Sequence, residues 1–228
     1  MRRVLSLMML CACGGTWSEE DLPYFDALPR RAELRVTAPP GTHRAAAAAG
    51  DFNFLINTFF AMSEQARDIA PTSREGETRI WGPYTDAEVA TREIRLRVQR
   101  ADGDRFDWNV EARPPSGAWV DIVDASSLPL ERRGTLSAPV AAFRNTVAVA
   151  DDLKTLEAVR IDWSAAGADL LLTGTSRFAS AYAHARSDAG TTLVFGDVTA
   201  TWTSAGGRSE GAGVIECWNA DGALVACP

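Results

Sequence analysis

Lysine is almost missing from this chain: of its 23 lysines and arginines, only Lys154 is a lysine. The arginine and alanine excess looks like the codon bias of a high-GC genome, so no function is read into it. Histidine is also scarce, with only His43 and His184. General acid–base and metal chemistry lean on imidazole, so this scarcity argues against an enzyme. No excess of basic charge exists either, since 30 acidic residues set the net charge at −7. The chain therefore lacks the electrostatic footprint of a nucleic-acid binder. No Walker-type loop, no G-x-G-x-x-G after a strand and no H-E-x-x-H occurs. Gly207-Arg208-Ser209-Glu210-Gly211 spells G-x-S-x-G, but that elbow needs a strand-to-helix turn and a later His. No His follows Ser209, and the match is read as chance, set in a Gly-rich hairpin between strands. No catalytic residue, metal ligand set or cofactor is assigned.

The N-terminus is distinctive. Arg2 and Arg3 precede Val4 to Ala12, an apolar run far shorter than the about 20 residues of a membrane span. Leu10-Cys11-Ala12-Cys13 resembles the lipobox of bacterial lipoproteins, with Cys13 as the lipidated residue. Cys11 fits that role less well, because Met9 before it is large. The resemblance implies a signal peptide over residues 1–12 and a lipidated Cys with a flexible tether over 13–30. It also implies a membrane partner through acyl chains on Cys13, each buried methylene adding about 0.8 kcal/mol. Gly14 resembles the signal for outer-membrane rather than inner-membrane residence. A twelve-residue signal is shorter than the usual ~15–30, which leaves room for an upstream start. With Arg2 and Arg3 removed, the net charge becomes −7 − 2 = −9.

On that reading Cys11 leaves with the signal and Cys13 takes lipid. Cys217 and Cys227 remain, and an even pair in an exported chain argues for a disulfide across a C-terminal hairpin. A metal pair is the competing reading, with no neighbouring His or Cys to complete it.

Residues 31–228 read as a single β-rich domain with no fixed-period repeat. Leu22–Pro29 suggests a turn of helix and Ala32–Val36 a short strand. The best helix starts at an Asp51 cap and recurs at Phe52, Leu55, Ile56, Phe59, Met62, Ala66 and Ile69, with Phe54 and Phe60 widening its apolar stripe. Pro71 ends it. The period then changes to two. Ile94, Leu96 and Val98, then Phe106, Trp108, Val110 and Ala112, alternate with polar residues around the Asp102-Gly103 turn. Further strands are expected over 118–123, 134–138, 158–164, 169–178, 179–186, 191–203, 211–218 and 223–227, with loop or short helix near Asp151. The fold class is mainly β (α+β): one curled antiparallel sheet or barrel-like meander with one amphipathic helix packed against it.

Gly211 to Trp218 and the meander before it resemble the C-terminal part of uncharacterised Gram-negative lipoproteins. The helix-plus-meander order looks like the half-barrel of lipoprotein carriers and lipid-binding envelope proteins. Seven tryptophans and the Phe-rich helix usually mean core. Turned into one concave face, they would line an apolar pocket, with Phe52, Leu55, Phe59, Trp108 and Trp202 as its ligand-binding residues. His184 is expected to face solvent. Asp102, Asp104 and Asp107 are read as a plain turn, although calcium takes such oxygens. Two functions remain open. One is non-enzymatic carriage of a lipophilic small molecule in the cell envelope. The other is a scaffold with a solid core, which exposed aromatics beside Arg95, Arg97 and Arg113 would favour.

Overall fold

The computed structural model describes residues 16, 18–85, 92–114, 117–144 and 151–228. The lipobox and Cys13 lie outside the described residues.

Alternating apolar and polar residues separated by tight turns produce a run of antiparallel hairpins. In chain order the strands are β1 (Ser73–Glu75), β2 (Thr78–Thr85), β3 (Glu93–Arg100), β4 (Phe106–Arg113), β5 (Val120–Leu128), β6 (Arg133–Ala138) and β7 (Leu156–Ser164). They continue as β8 (Gly167–Gly174), β9 (Ala181–Ser187), β10 (Gly190–Phe195), β11 (Val198–Thr203), β12 (Gly206–Gly211), β13 (Val214–Asn219) and β14 (Leu224–Val225). Each pairs with the next, giving one unclosed fourteen-stranded meander. Register shifts within β2, β5 and β7 interrupt the ladders, and such bulges bend a sheet into a trough.

The helices largely precede the sheet: α1 (Leu22–Ala27), α2 (Arg31–Leu34), α3 (Arg44–Phe59) and α4 (Ala61–Ala66), with a later turn α5 (Val140–Phe143). Helix α3 buries Ala45, Ala48, Ala49, Phe52, Leu55, Ile56 and Phe59, the 3.6-residue stripe the sequence suggests. It joins a single hydrophobic cluster with the inward side chains of β2 to β11 and of β13. The curled sheet with a packed helix matches the expected fold class.

Several expectations need correction. Ala32–Val36 is no strand; Arg31–Leu34 makes a helical turn, and Val36 is held by the Asn53 side chain instead. Helix α3 starts seven residues before Asp51, because Ala45–Ala49 is a strong helix former and His43 caps it. Residues 191–203 are two strands, broken by Gly196 at φ +59°. Residues 206–211 form a strand of their own, so the G-x-S-x-G letters lie inside the ladder β11–β12–β13 and not in a hairpin loop.

Candidate functional site

The five residues expected to line a ligand pocket are all buried, and each faces the trough. There they meet one another and their neighbours. Phe52 lies edge-on to Tyr182 and His184, with ring centroids 6.1 and 5.5 Å away. Phe60, at the end of α3, sits between Trp108 (6.1 Å) and Trp163 (5.4 Å). Trp202 donates its indole N–H to the Thr37 carbonyl at 3.1 Å. Leu55 is fully buried, and Phe59 is within the same cluster. The space beneath α3 is thus occupied by side chains.

A few polar groups share that interior. One cross-strand row runs Phe106, Ser127, Gly134, Trp163, Ala168, His184, Leu193, Ala200, Ser209 and Glu216 from β4 to β13. His184 therefore points inward, correcting the expected solvent orientation; a period of two fixes which residues share a face but not which face is wet. It is 3 % exposed, and neither ring nitrogen makes a hydrogen bond of good geometry. Burial, aided by the nearby Arg186 charge, depresses its pKa to about 4, with the Leu34 backbone pulling weakly the other way. The indole N–H groups of Trp108 and Trp218 and the Ser127 hydroxyl are likewise buried, without a hydrogen-bond partner among the described residues.

Ser209 is fully buried, and its hydroxyl lies 3.3 Å from Glu216 Oε2. The same oxygen accepts from the Arg44 backbone N–H at 3.2 Å and from Arg44 Nε at 3.3 Å. This carboxylate pins the positive N-terminus of α3 to the last strands. His43 Nδ1 accepts from the Ala46 N–H, its Nε2 donates to the Pro40 carbonyl, and the ring stacks 3.9 Å from Trp218. Neither histidine hydrogen-bonds to Ser209, whose hydroxyl is taken by Glu216.

The outer face carries a different constellation, on β3, β4 and the start of β5. Arg95 grips Glu111 with both Nε and Nη2, at 2.6 and 2.9 Å. Two register positions away, on the same face, Arg113 pairs with Glu93. Half-buried Trp119, just before β5, lies against both cations: the guanidinium carbons of Arg95 and Arg113 are 4.1 and 4.7 Å from its ring centre. Beside it, Asp121 has its pKa raised by partial burial and by the Asp124 and Glu111 charges, against the pull of Arg97 and Arg95. Next along the outer face is a hollow of about 350 Å³ lined by Asp107, Asn109, Asp124, Thr135 and Arg160.

Asp104 accepts from the Leu130 N–H and Asp107 pairs with Arg105, so the turn carboxylates have protein partners. Among the described residues no group of three or more His, Cys, Asp or Glu stands together for a metal. No helix among them is long and apolar enough to cross a membrane. Cys217 and Cys227 are joined as a disulfide, tying β13 to the chain end.

Comparison with protein-family models, with curated proteins and with solved structures finds no match. Sequence reasoning named Arg95 and Arg113 but left Trp119 among the core tryptophans. No local signal separates it, because its contact with both arginines comes from packing between strands.

Proposed function

We propose that the chain is a non-enzymatic, lipid-anchored protein of the bacterial cell envelope that works as a protein-interaction module. Its contact surface is the outer face of β3–β5 around Trp119. The observation that carries this reading is the Arg95–Trp119–Arg113 stack, fixed in place by Glu111 and Glu93. Trp and Arg dominate interface energetics, and here their rotamers are ordered before a partner arrives. The filled trough supports the same reading, since a solid core leaves binding to the outside. Anchoring by Cys13, and an outer-membrane address, rest on the lipobox resemblance.

A photo-crosslinking residue at position 97, on the same outer face of β3 and with Trp119 intact, is expected to yield a discrete adduct in the cells that make the protein. The same residue at Leu171, exposed on the outer face of β8, is expected to yield none. Equal labelling at both positions would remove the reading.

A second reading, carriage of a lipophilic molecule, is favoured by one observation. Trp108, Ser127, His184 and Trp218 keep polar atoms in the trough that no hydrogen bond among the described residues satisfies. A ligand entering there would have to displace α3.

A further inference from the structure

Helix α3 is attached to the sheet differently from any strand. The strands hold one another through main-chain ladders, whereas the hydrogen bonds from α3 to the sheet run through the side chains of Arg44 and Glu216. Two ion pairs clasp it, Arg44 with Glu216 at 3.3 Å and Asp51 with Arg177 at 2.7 Å. Between them the helix sits on Phe52, and under Phe52 lies His184.

Among the described residues, no element packed round that imidazole offers it a counter-charge. From α3 comes the Phe52 ring edge, while the adjacent Asp51 is committed to Arg177. From α2 come the Leu34 backbone and Glu33, whose carboxylate pairs with Arg132 and whose carbonyl accepts from Arg186. Strand β8 presents Ala168, with Asp169 on the opposite face, and β10 presents Leu193. Along its own strand the neighbours on the same face are Tyr182 and the cationic Arg186. An imidazolium here would be a buried charge without a partner, and a buried charge is either paired or expelled.

We propose that His184 is an acid-sensitive latch for α3. Protonation of its ring undocks the helix from the concave face while the sheet persists, and uncovers the apolar face of Phe52, Leu55 and Phe59. The helical layer yields first because no ladder hydrogen bond is lost when it leaves. The inference does not depend on the outer-face contact at Trp119, and loss of that contact would leave it standing.

Because the ring is neutral in the docked state and titrates normally once released, acid favours release. With a docked pKa near 4 against an ordinary 6.5, undocking becomes more favourable by about a hundredfold or more as pH falls through that window.

The test is Nile red fluorescence and far-ultraviolet circular dichroism of the full chain, titrated from pH 7.5 to 3.5 and back. The parent protein is expected to take up dye reversibly between pH 6.5 and 4 before its strand signal changes. His184→Phe, which fills the site without titrating, is expected to show no uptake over that window, and His184→Gln serves if the Phe variant fails to fold. Dye uptake that coincides with loss of the strand signal, no uptake at all, or the same midpoint in both proteins would overturn the proposal.

Discussion

Gly207 shows how a single missing side chain shapes this sheet. A Cβ there would stand 2.4 Å from the Trp218 ring, 2.5 Å from the Trp202 Cβ and 2.6 Å from the Thr201 carbonyl. The indole of Trp218 occupies the space the glycine leaves, and His43 stacks on the same ring. Gly134 does the same for Trp163, whose Cζ2 would be 2.2 Å from an added Cβ. Gly207→Ala is expected to cost about 2–3 kcal/mol through overpacking, read as a lowered urea midpoint with an unchanged slope. Trp119→Ala should behave in the opposite way. Its effect on stability is expected to stay within about 1 kcal/mol, while partner affinity falls about 30-fold, the equivalent of about 2 kcal/mol for a hot-spot tryptophan. Competition binding with the crosslinked partner measures that ratio.

Among the elements, α3 depends on Asn53 as much as on its apolar stripe. The Asn53 amide donates to the Val36 carbonyl at 2.8 Å and accepts from the Val36 N–H at 2.9 Å, all of it buried. This pairing replaces a strand partner for the extended residues after α2. Asn53→Leu would strand both backbone groups, each costing about 1–3 kcal/mol. The expected result is a lower Tm together with faster hydrogen exchange at the Val36 amide.

The same elements show what was legible beforehand. The β3–β4 hairpin was readable from Ile94–Leu96–Val98 facing Phe106–Trp108–Val110, because alternation and an Asp-Gly turn both belong to the local chain. The apolar face of α3 was readable for the same reason. Strand β12 was hidden, since Gly206, Gly207 and Gly211 weaken any local strand preference and only the rings of Trp202 and Trp218 explain them. The candidate site was half legible. Arg95 and Arg113 stood out, but Trp119 joins them through packing between strands that no sequence spacing encodes.

For the whole molecule, an unclosed sheet has two edges to protect. At one end β1 is charged, and Arg74 bonds to buried Asp21 at 2.6 Å while Arg79 reaches the same carboxylate at 2.8 Å. Burial alone would raise the Asp21 pKa, but these cations and the Ser18 N–H hold it below the usual range. At the other end β14 is only two residues long and is tied down by the Cys217–Cys227 bridge. Opening that ten-residue separation by reduction is expected to cost roughly 3 kcal/mol on the chain-entropy model. The two acid-sensitive groups act in different windows. His184 binds its proton more weakly folded than unfolded, so stability is full above pH 6.5 and falls by about 3 kcal/mol towards pH 4. Asp21 is the reverse case of a stabilised carboxylate, and its contribution is lost only below the ordinary carboxylate range. Urea titrations of parent and His184→Phe at pH 7 and pH 4.5 separate them, with the variant losing less stability between the two.

The central claim is that this trough is filled by its own side chains and that binding belongs to the outer face. Native against denaturing mass spectrometry of the protein recovered from the cells that make it tests that claim most directly. The expected native mass equals the denatured one, both less two hydrogens for Cys217–Cys227, with no small-molecule adduct lost on denaturation. A stoichiometric adduct that is released on denaturation would place a ligand in the trough and contradict the account.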